Sequence, residues 1–304
     1  MTTLMQRTSY VVDEISEGAR LDRFLSERQP TVSRASIQRA IREGLTTIDG
    51  VICSRPSRQL RPGEKVTLRY AQPAALVPHP MDIQILHEDT DIVVVDKPPG
   101  LVVHPGAGTV EPTLVEGLLM NRPLAPSIDA RRPGVVHRLD KDTSGVLVLA
   151  KSVSALNDLQ RQFAERSVAK LYLAVVSGII DEDEALIDAP IRRDPHRPRR
   201  MTVSTAGRPA QTVIRVLQRG ERSSLILVRP ITGRTHQVRV HLKYIGHVVE
   251  GDAIYGQSGS RLMLHAWKLR LQHPSTGAEC HFEATVPEEF PDHPYASAAG
   301  LEAH

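Results

Sequence analysis

Short apolar runs, bounded by glycine, proline or charged residues, constrain the fold of this chain most. IVVV at 92–95 and VLVLA at 146–150 have the length of buried strands and are far too short to cross a bilayer. Similar runs occur in KLYLAVVSG (170–178), TVIRVL (212–217) and SLILVRP (224–230). SVSALNDLQRQFAERS (152–167) has helical spacing instead, with Ser152 as its predicted N-cap. This order predicts an α+β fold with a central mixed, largely antiparallel sheet.

Composition excludes several classes of protein. The 304 residues contain two cysteines, Cys53 and Cys280, without a CxxC pair, which argues against disulfide frameworks and cysteine-built zinc sites. HExxH and GxxxxGK[ST] motifs are both missing, so metal hydrolysis and nucleotide hydrolysis lose their usual support. The N-terminus, MTTLMQRTSY, lacks the features of a signal peptide. We therefore expect a cytoplasmic protein without membrane contact, and a monomer as the default.

Positive charge is concentrated near the N-terminus. Residues 18–70 contain 11 basic and 5 acidic residues, a net charge of +6, whereas the whole chain carries +3. A basic segment on a near-neutral body is typical of a module that binds a polyanion. The alternative from charge alone is a solvated charged face.

The segment SRASIQRAIREG at 33–44 predicts a basic amphipathic helix. Ser33 is its predicted N-cap, and an apolar stripe leaves Arg34, Arg39 and Arg42 on the polar side. Guanidinium groups in this arrangement suit phosphates, so these three arginines are candidate RNA contacts. An earlier short helix is predicted over residues 20–29.

Changes in composition divide the chain into four segments. The basic module covers residues 18–70, and the Ala- and Pro-rich stretch AQPAALVPHP at 71–80 is a predicted linker. A larger domain follows over residues 81–290. Residues 291–304 have the composition of a loosely held tail.

The stretch HRLDKDTSG at 137–145 contains two candidate carboxylates. Asp142 is predicted to bond a tight turn before the next strand. Asp140 lies between Arg138 and Lys141, whose charges favour its ionised form. Such a carboxylate can attack a sugar anomeric carbon, but these residues alone favour a structural salt bridge. An aspartic protease would need a second Asp-Thr/Ser-Gly loop, and the chain has one.

Two sets of motifs resemble known families. LDRFL, SRASIQRAI and RPGEKVTL resemble the S4 RNA-binding domain over residues 18–70, with IDG at 48–50 where that family usually has Val-Asn-Gly. HRLDKDTSG resembles the signature of the RluA-type RNA pseudouridine synthases. The motifs that accompany it are HEDTDIVVVDKPPGLVVHP (87–105), KLYLAVVSG, RPAQT (208–212), PITGRTHQVRVHLKYIGHVVEGDAIYG (230–256) and RLMLHAWKLRLQHP (261–274), so the resemblance spans about residues 81–287.

The resemblance implies isomerisation of uridine in structured RNA. In this reaction the N1–C1′ bond breaks and C5 bonds to C1′, with no need for a cofactor, metal or ATP. Large-subunit (23S) ribosomal RNA, or its precursor particles, is the expected partner. The alternatives are transfer RNA as substrate and a noncatalytic RNA-binding or ribosome-assembly protein.

The resemblance also assigns residues. Asp140 becomes the catalytic carboxylate, acting at C1′ or through a glycal route, and Arg234 its expected salt-bridge partner. Tyr172 is expected to stack on the uracil and to help remove the C5 proton, and Leu264 to line the pocket. Arg138 is expected to fill the space of the flipped base. The alternatives are a core tyrosine, a core leucine, a surface arginine at 234, and pairing of Arg138 with a phosphate or Asp140.

A proline-broken basic cluster, IRRDPHRPRR at 191–200, lies between predicted strands. Its irregular spacing predicts a loop that faces RNA and contacts phosphates, and the alternative is a solvated loop. The arginines are Arg192, Arg193, Arg197, Arg199 and Arg200.

Overall fold

The predicted strands and helices are present in the computed structural model, with small shifts of their ends. The structure describes residues 5–30, 32, 34–71, 76–106, 109–127, 129–292 and 294. The helices are α1 Leu21–Arg28, α2 Arg34–Arg42, α3 Leu114–Leu118, α4 Val153–Glu165 and α5 Gln237–Tyr244. The strands are β1 Met5–Val11, β2 Thr46–Ile48, β3 Val51–Ile52, β4 Lys65–Ala71, β5 Gln84–Glu88, β6 Ile92–Lys97, β7 Ser144–Ala150, β8 Ala169–Ser177, β9 Glu184–Asp188, β10 Ile191–Arg193, β11 Met201–Val203, β12 Gln211–Arg219, β13 Ser223–Pro230, β14 Leu264–Gln272 and β15 Glu279–Glu283. None of the described helices has the length and apolar character needed to cross a membrane.

The chain forms two compact units: Met1–Val77 with Pro126–Pro133, and Pro78–Ala125 with Gly134–His304. The division lies inside the predicted linker, of which residues 72–75 are outside the described part. The predicted tail is described only at 291, 292 and 294. The grouping of 126–133 with the N-terminal unit has no precedent in the sequence pattern, and the domain bounds remain predictions.

The N-terminal unit packs α1 and α2 on an antiparallel sheet with strand order β1-β4-β2-β3. Phe24, Ile37 and Leu68 are fully buried in its core, which places the apolar stripe of the basic helix inward as predicted. The expected cap, Ser33, lies outside the described residues. Asp49 has a positive φ of 50° beside Gly50, so the IDG sequence makes a tight turn between β2 and β3.

The second unit is built on a nine-stranded sheet with the order β5-β6-β7-β14-β8-β13-β12-β9, and β15 pairs with β14. Every described pairing in it is antiparallel except β7 with β14. The central mixed, largely antiparallel sheet is therefore confirmed. Ser152 caps α4 as predicted, because its Oγ accepts a hydrogen bond of 3.2 Å from the Ala155 amide.

Gly145 allows the parallel pairing of β7 with β14, in which it lies opposite Ala266. A Cβ at this position would lie 2.1 Å from the Ala266 carbonyl oxygen, and φ is +112°. Only glycine accommodates both conditions. The last residue of HRLDKDTSG thus fixes how the strand after Asp140 joins the sheet.

Candidate active site

Asp140 lies in the loop that enters β7. Its backbone carbonyl accepts a hydrogen bond of 3.2 Å from the Thr143 amide, which closes a turn. Its side chain is 18% exposed, so the carboxylate borders solvent without being immersed in it. Asp142, two residues later, is exposed. The loop therefore presents one carboxylate in a partly dry setting and the other to water.

Lys97, at the end of β6, stabilises the same loop through hydrogen bonds to backbone carbonyl oxygens. Its fully buried ammonium donates to the carbonyl oxygens of Pro98 at 2.7 Å, Leu101 at 3.0 Å and Lys141 at 2.9 Å. Burial lowers the pKa of Lys97 to about 7, while the charge of Asp142 and then that of Asp140 act in the opposite direction. This side chain joins the first motif to the loop of Asp140.

Arg239, in α5, is the ion-pair partner of Asp140. Its Nη1 lies 3.0 Å from Asp140 Oδ2, and its guanidinium also forms two 2.7 Å hydrogen bonds with the buried carboxylate of Asp252. Burial alone would lower the pKa of Arg239, but Asp252 and Asp140 raise it above its usual value. The arginine is therefore a fixed cation, held by one carboxylate and pointed at the other.

The prediction that Arg234 pairs with Asp140 was wrong. Arg234 lies three residues before α5, and its Nε donates to the Pro209 carbonyl oxygen at 3.1 Å. Arg239 is the third residue of α5, where the helix faces the loop of Asp140. One signal in the sequence could have indicated this. Polar residues alternate with valines in HQVRVH, and the described helix buries Gln237, Arg239 and His241.

Tyr172 and Leu264 belong to one apolar cluster beneath α5. Leu264 is buried in β14, and Tyr172 packs against the same cluster from β8. Burial raises the pKa of the Tyr172 phenol above its usual value, and the charge of Asp140 adds to the effect. No described residue forms a hydrogen bond with its hydroxyl. Tyr172 is therefore a neutral phenol, and it lies close enough to Asp140 for the carboxylate charge to raise its pKa.

Arg138 lies at the rim of this site. It is exposed, and its Nη2 donates to Thr235 Oγ1 at 3.1 Å. Among the described residues it forms no ion pair with Asp140, so that alternative for Arg138 is not what the structure shows. Its guanidinium is attached by a single hydrogen bond at the mouth of the site.

His236 and Tyr255 were not anticipated from the sequence. His236 Nδ1 lies 2.8 Å from Tyr255 Oη, and His236 Nε2 lies 4.0 Å from Asp140 Oδ1. The backbone of His236 is left-handed, with φ 54° and ψ 20°. A non-glycine residue in that region costs about 1 kcal/mol or more, and such strain clusters at functional sites.

His137 anchors the other side of the loop. Its Nε2 accepts a hydrogen bond of 3.1 Å from the Val148 amide, and its ring stacks on Phe163 at 4.6 Å. Val135 pairs with Leu149 in an antiparallel bridge. If this pairing continued by one residue, the Val148 amide would donate to the Val136 carbonyl. The imidazole replaces the carbonyl and lets the chain leave the sheet toward Asp140. Burial, helped by the Lys170 charge, lowers the pKa of His137 to about 3 and keeps the ring neutral.

In the N-terminal unit, the structure separates Arg34 from the other two candidate RNA contacts. Arg34 Nη2 lies 2.9 Å from the carboxylate of Asp22, which is fully buried and also bonded by Arg20 and Gln38. Burial alone would raise the pKa of Asp22, but these partners hold it well below the usual range. Arg39 and Arg42 are exposed and form no ion pair with a described residue. The phosphate-facing role therefore suits Arg39 and Arg42 better than Arg34.

The basic cluster at 191–200 is a β-hairpin rather than an irregular loop. Arg192 and Arg193 lie in β10, which pairs with β11, and the Arg193 guanidinium donates to the Pro198 carbonyl. Arg197 and Arg199 are exposed in the connecting turn, while Arg200 is half-buried next to β11. The hairpin holds its arginines on a short, regular support.

One group of described residues could hold a metal ion: Asp89, Asp91 and His273, whose ligand atoms lie within 4.8 Å of one another. His273 Nε2 lies 3.0 Å from Asp89 Oδ2, and Asp91 accepts from Ser152 at 2.7 Å. This group shares no member with the site around Asp140. Its ligand atoms already have hydrogen-bond partners within the protein, which is sufficient as a structural role.

Comparisons with known proteins agree with this geometry. The family model for RNA pseudouridylate synthases matches residues 91–244, and the S4 domain model matches residues 19–66. An uncharacterized RNA pseudouridine synthase of Aquifex aeolicus is 42% identical over 90% of this chain and 92% of its own length. The ribosomal large subunit pseudouridine synthase D of Neisseria meningitidis serogroup A is 40% identical over 90% of this chain and 77% of its own length.

The fold has relatives among solved structures. Human RNA pseudouridylate synthase domain containing 1 superposes with a TM-score of 0.57 at 29% sequence identity, covering 71% of this chain and 86% of that one. The S4 match coincides with the helical, basic N-terminal unit, and the synthase match includes Asp140, Tyr172 and Arg239. Sequence, fold and motifs together place this chain in the RNA pseudouridine synthase family, as an enzyme with an RNA-binding S4 domain.

Proposed function

We propose that this enzyme isomerises uridines in large-subunit (23S) ribosomal RNA or its precursor particles, with Asp140 as the catalytic carboxylate. The observation that carries the proposal is the state of that carboxylate. Oδ2 is held by Arg239 at 3.0 Å, while Oδ1 has no hydrogen bond from a described residue and the side chain is 18% exposed. A fixed carboxylate with one open oxygen is suited to attack at C1′ or to act at the 2′ position.

Arg239 fixes the position of the Asp140 carboxylate. Its guanidinium lies 3.0 Å from Oδ2, and Asp252 prevents the arginine from swinging away. Since Oδ2 is occupied, the reacting atom is Oδ1. Fixing one oxygen in this way lowers the entropy cost of bringing the other to the sugar carbon.

Tyr172 has the properties of a stacking surface for the extruded uracil. Its ring lies at the base of the site in β8, and its raised pKa keeps the hydroxyl protonated at neutral pH. A neutral phenol is a poor general base, so help with removal of the C5 proton would require the product complex to change its surroundings. Leu264 supplies apolar surface in the same cluster.

Arg138 is suited to fill the space left by the flipped base. A base in structured RNA must leave its stack to meet Asp140, and a planar cation at the rim can replace it. Arg138 needs to break only one hydrogen bond, to Thr235, to make that move.

RNA affinity would come from two basic surfaces. One consists of Arg39 and Arg42 on α2. Arg34 on the same helix is a weaker candidate for this surface, because it forms an ion pair with Asp22. The other is the hairpin with Arg192, Arg193, Arg197, Arg199 and Arg200. Both would contact phosphates and position the RNA without reading its sequence.

The choice of ribosomal RNA rests on the named relatives. Synthase D proteins of Neisseria meningitidis and Escherichia coli, at 40% and 35% identity, carry the large ribosomal subunit in their names. A ribosomal substrate goes with a cytoplasmic location, and we take the monomer as the working form.

Tritium release tests the proposal. In vitro transcripts of large-subunit ribosomal RNA and of transfer RNA, labelled at uridine C5, would be incubated with the native enzyme and with Asp140→Ala and Asp142→Ala. Asp142 is the matched control because it is exposed in the same loop. We expect release from the ribosomal transcript by the native enzyme and Asp142→Ala, and none by Asp140→Ala. Release only from transfer RNA would overturn the substrate, and release by Asp140→Ala would overturn the catalytic assignment.

A further inference from the structure

A chain of hydrogen bonds leads from the arginine hairpin to His236, whose ring faces the open oxygen of Asp140. The amide of Met201, in β11, donates to Tyr255 Oη at 2.8 Å, and Tyr255 Oη lies 2.8 Å from His236 Nδ1. The other ring nitrogen, His236 Nε2, faces Asp140 Oδ1 at 4.0 Å. That distance exceeds a hydrogen bond, so the histidine leaves Oδ1 open.

The chain determines where the proton of His236 lies. Tyr255 already accepts from Met201, and His236 Nδ1 is the only acceptor within reach of its hydroxyl among the described residues. Tyr255 therefore donates to Nδ1, which leaves the ring proton on Nε2. Burial raises the pKa of Tyr255 to about 12, and burial also lowers the pKa of His236 against the opposing charge of Asp140. Both groups are neutral at pH 7.

The position of His236 is maintained against its own backbone preference. Its left-handed conformation is uncommon for any residue other than glycine, and it directs the ring back toward Asp140 from the start of α5. Tyr255 is held in turn by the Arg239 guanidinium, 5.3 Å from its ring centre. Among the described residues, the Nε2–H of His236 has no hydrogen-bond partner. A donor held in this way is suited to an acceptor atom on a bound substrate.

We propose that His236 is a further catalytic residue, whose Nε2–H donates a hydrogen bond to O2 of the flipped uridine as uracil departs from C1′. The inference rests on the function proposed above. Asp140 Oδ1 must meet C1′ or the adjoining 2′ position, and O2 is the uracil oxygen on the carbon next to N1, whereas O4 lies across the ring. A donor 4.0 Å from Oδ1 is therefore placed for O2.

The donor acts when the glycosidic bond breaks. The N1–C1′ electron pair leaves with the uracil and spreads over N1, O2 and O4, while Oδ1 supplies a pair to C1′ or removes the 2′ proton. After the ring turns, C5 forms the bond to C1′ while the bond from Oδ1 to C1′ breaks or, on the other route, while Oδ1 returns the proton to C2′. The C5 proton then passes to solvent, and N1 takes one up. His236 keeps its proton throughout and stabilises the anion by hydrogen bonding, as a neutral imidazole can.

His236→Gln and His236→Met form the matched pair for the test. The two replacements have similar size and shape, but only glutamine retains an N–H near the position of Nε2. With C5-tritiated large-subunit ribosomal RNA transcript as the probe, we expect His236→Met to lower kcat by about 100-fold, the usual effect of removing one donor to a developing charge. His236→Gln should recover at least tenfold of that loss, and RNA affinity should stay within about threefold in both.

A second transcript, with 5-fluorouridine in place of uridine, separates the role at O2 from one at the sugar. Fluorine withdraws electrons and makes uracil a better leaving group. The His236→Met penalty on formation of the C5–C1′-linked product, measured by nucleoside mass spectrometry, should therefore shrink several-fold. An undiminished penalty would assign the contact to the ribose and overturn the proposal, as would equal activity of the two variants. Asp140→Ala distinguishes failure of the His236 proposal from failure of the proposed function. If Asp140→Ala retains activity, the proposed function is wrong. If Asp140→Ala is inactive, only the role of His236 is wrong.

Discussion

Arg239 and Asp252 form a doubly hydrogen-bonded ion pair, with both contacts at 2.7 Å and both side chains buried. Asp252 lies in the GDAIYG segment that follows α5, and its Oδ1 accepts hydrogen bonds from the backbone amides of Ile254 and Tyr255. The partner of the catalytic carboxylate is thus oriented by a second carboxylate that never reaches the substrate.

Asp252→Asn should destabilise the synthase unit and reduce catalysis together. The change keeps the shape but leaves the Arg239 cation without its main buried counter-charge, and breaking a buried pair costs about 3 kcal/mol or more. Urea unfolding followed by Trp267 fluorescence reports this unit, because Trp267 is the single tryptophan and is buried in β14. Glu165→Gln, in an exposed pair with Arg161, is the control and should change the free energy by less than about 0.5 kcal/mol. Equal effects of both substitutions would contradict the role of the buried pair.

Gly145→Ala should unfold the sheet at the junction of β7 and β14. The added methyl would lie 2.1 Å from the Ala266 carbonyl oxygen, and neither backbone can retreat without breaking the pairing. We expect a loss of about 4 kcal/mol, in the range that marks a severe steric conflict. Gly277→Ala is the matched control, because its φ is also positive, at +69°, but nothing lies within 4 Å of its Cβ position. Its cost should be limited to the left-handed backbone, about 1 kcal/mol.

His137 should give the enzyme a defined pH dependence of stability. Its pKa is about 3 when folded against the ordinary value of 6.5, so the unfolded chain binds more protons between these values. Its contribution is fully present above pH 6.5 and is lost as the pH falls toward 3, at about 1.4 kcal/mol per pH unit.

The comparison with His137→Gln isolates that contribution. Glutamine can accept the Val148 amide but does not titrate, so the variant should lose stability less steeply on acidification. Urea unfolding at pH 4, 5, 6 and 7 provides the measurement. Parallel pH profiles for the two proteins would show that His137 is not buried in its neutral form.

Arg197 and Arg199 should contribute to RNA binding through phosphates. Both are exposed in the hairpin turn, so the double change to glutamine should leave the fold intact. Each lost phosphate contact lowers the slope of log K against log salt by about 0.7 to 0.9, so the double variant should lose between about 1 and 2. Filter binding to the ribosomal transcript from 50 to 300 mM KCl measures the slope. Arg161→Gln, on the exposed face of α4, should leave it unchanged.

The sheet could be predicted from the sequence because its buried strands are short apolar runs with clear breaks. Asp140 could be located for a similar reason, since HRLDKDTSG is contiguous in the chain. Arg239 could not, because its role depends on how α5 is rotated against a loop 99 positions earlier. His236 required knowledge of its backbone conformation and of Tyr255, and neither leaves a periodic pattern. Local chemistry was therefore predictable, whereas contacts between distant segments required the fold.

The parallel pairing of β7 with β14 also sets the order in which the protein can become an enzyme. It joins Ser144 and Gly145 to His265 and Ala266, and Arg239 and Asp252 likewise follow Asp140 by about a hundred residues. Contacts between such distant positions form late, because the intervening chain must first be closed into a loop. A nascent chain emerging from the ribosome would display its basic N-terminal unit first and would hold an unassembled aspartate until β14 is made. The newly made protein could therefore bind RNA before it can modify it.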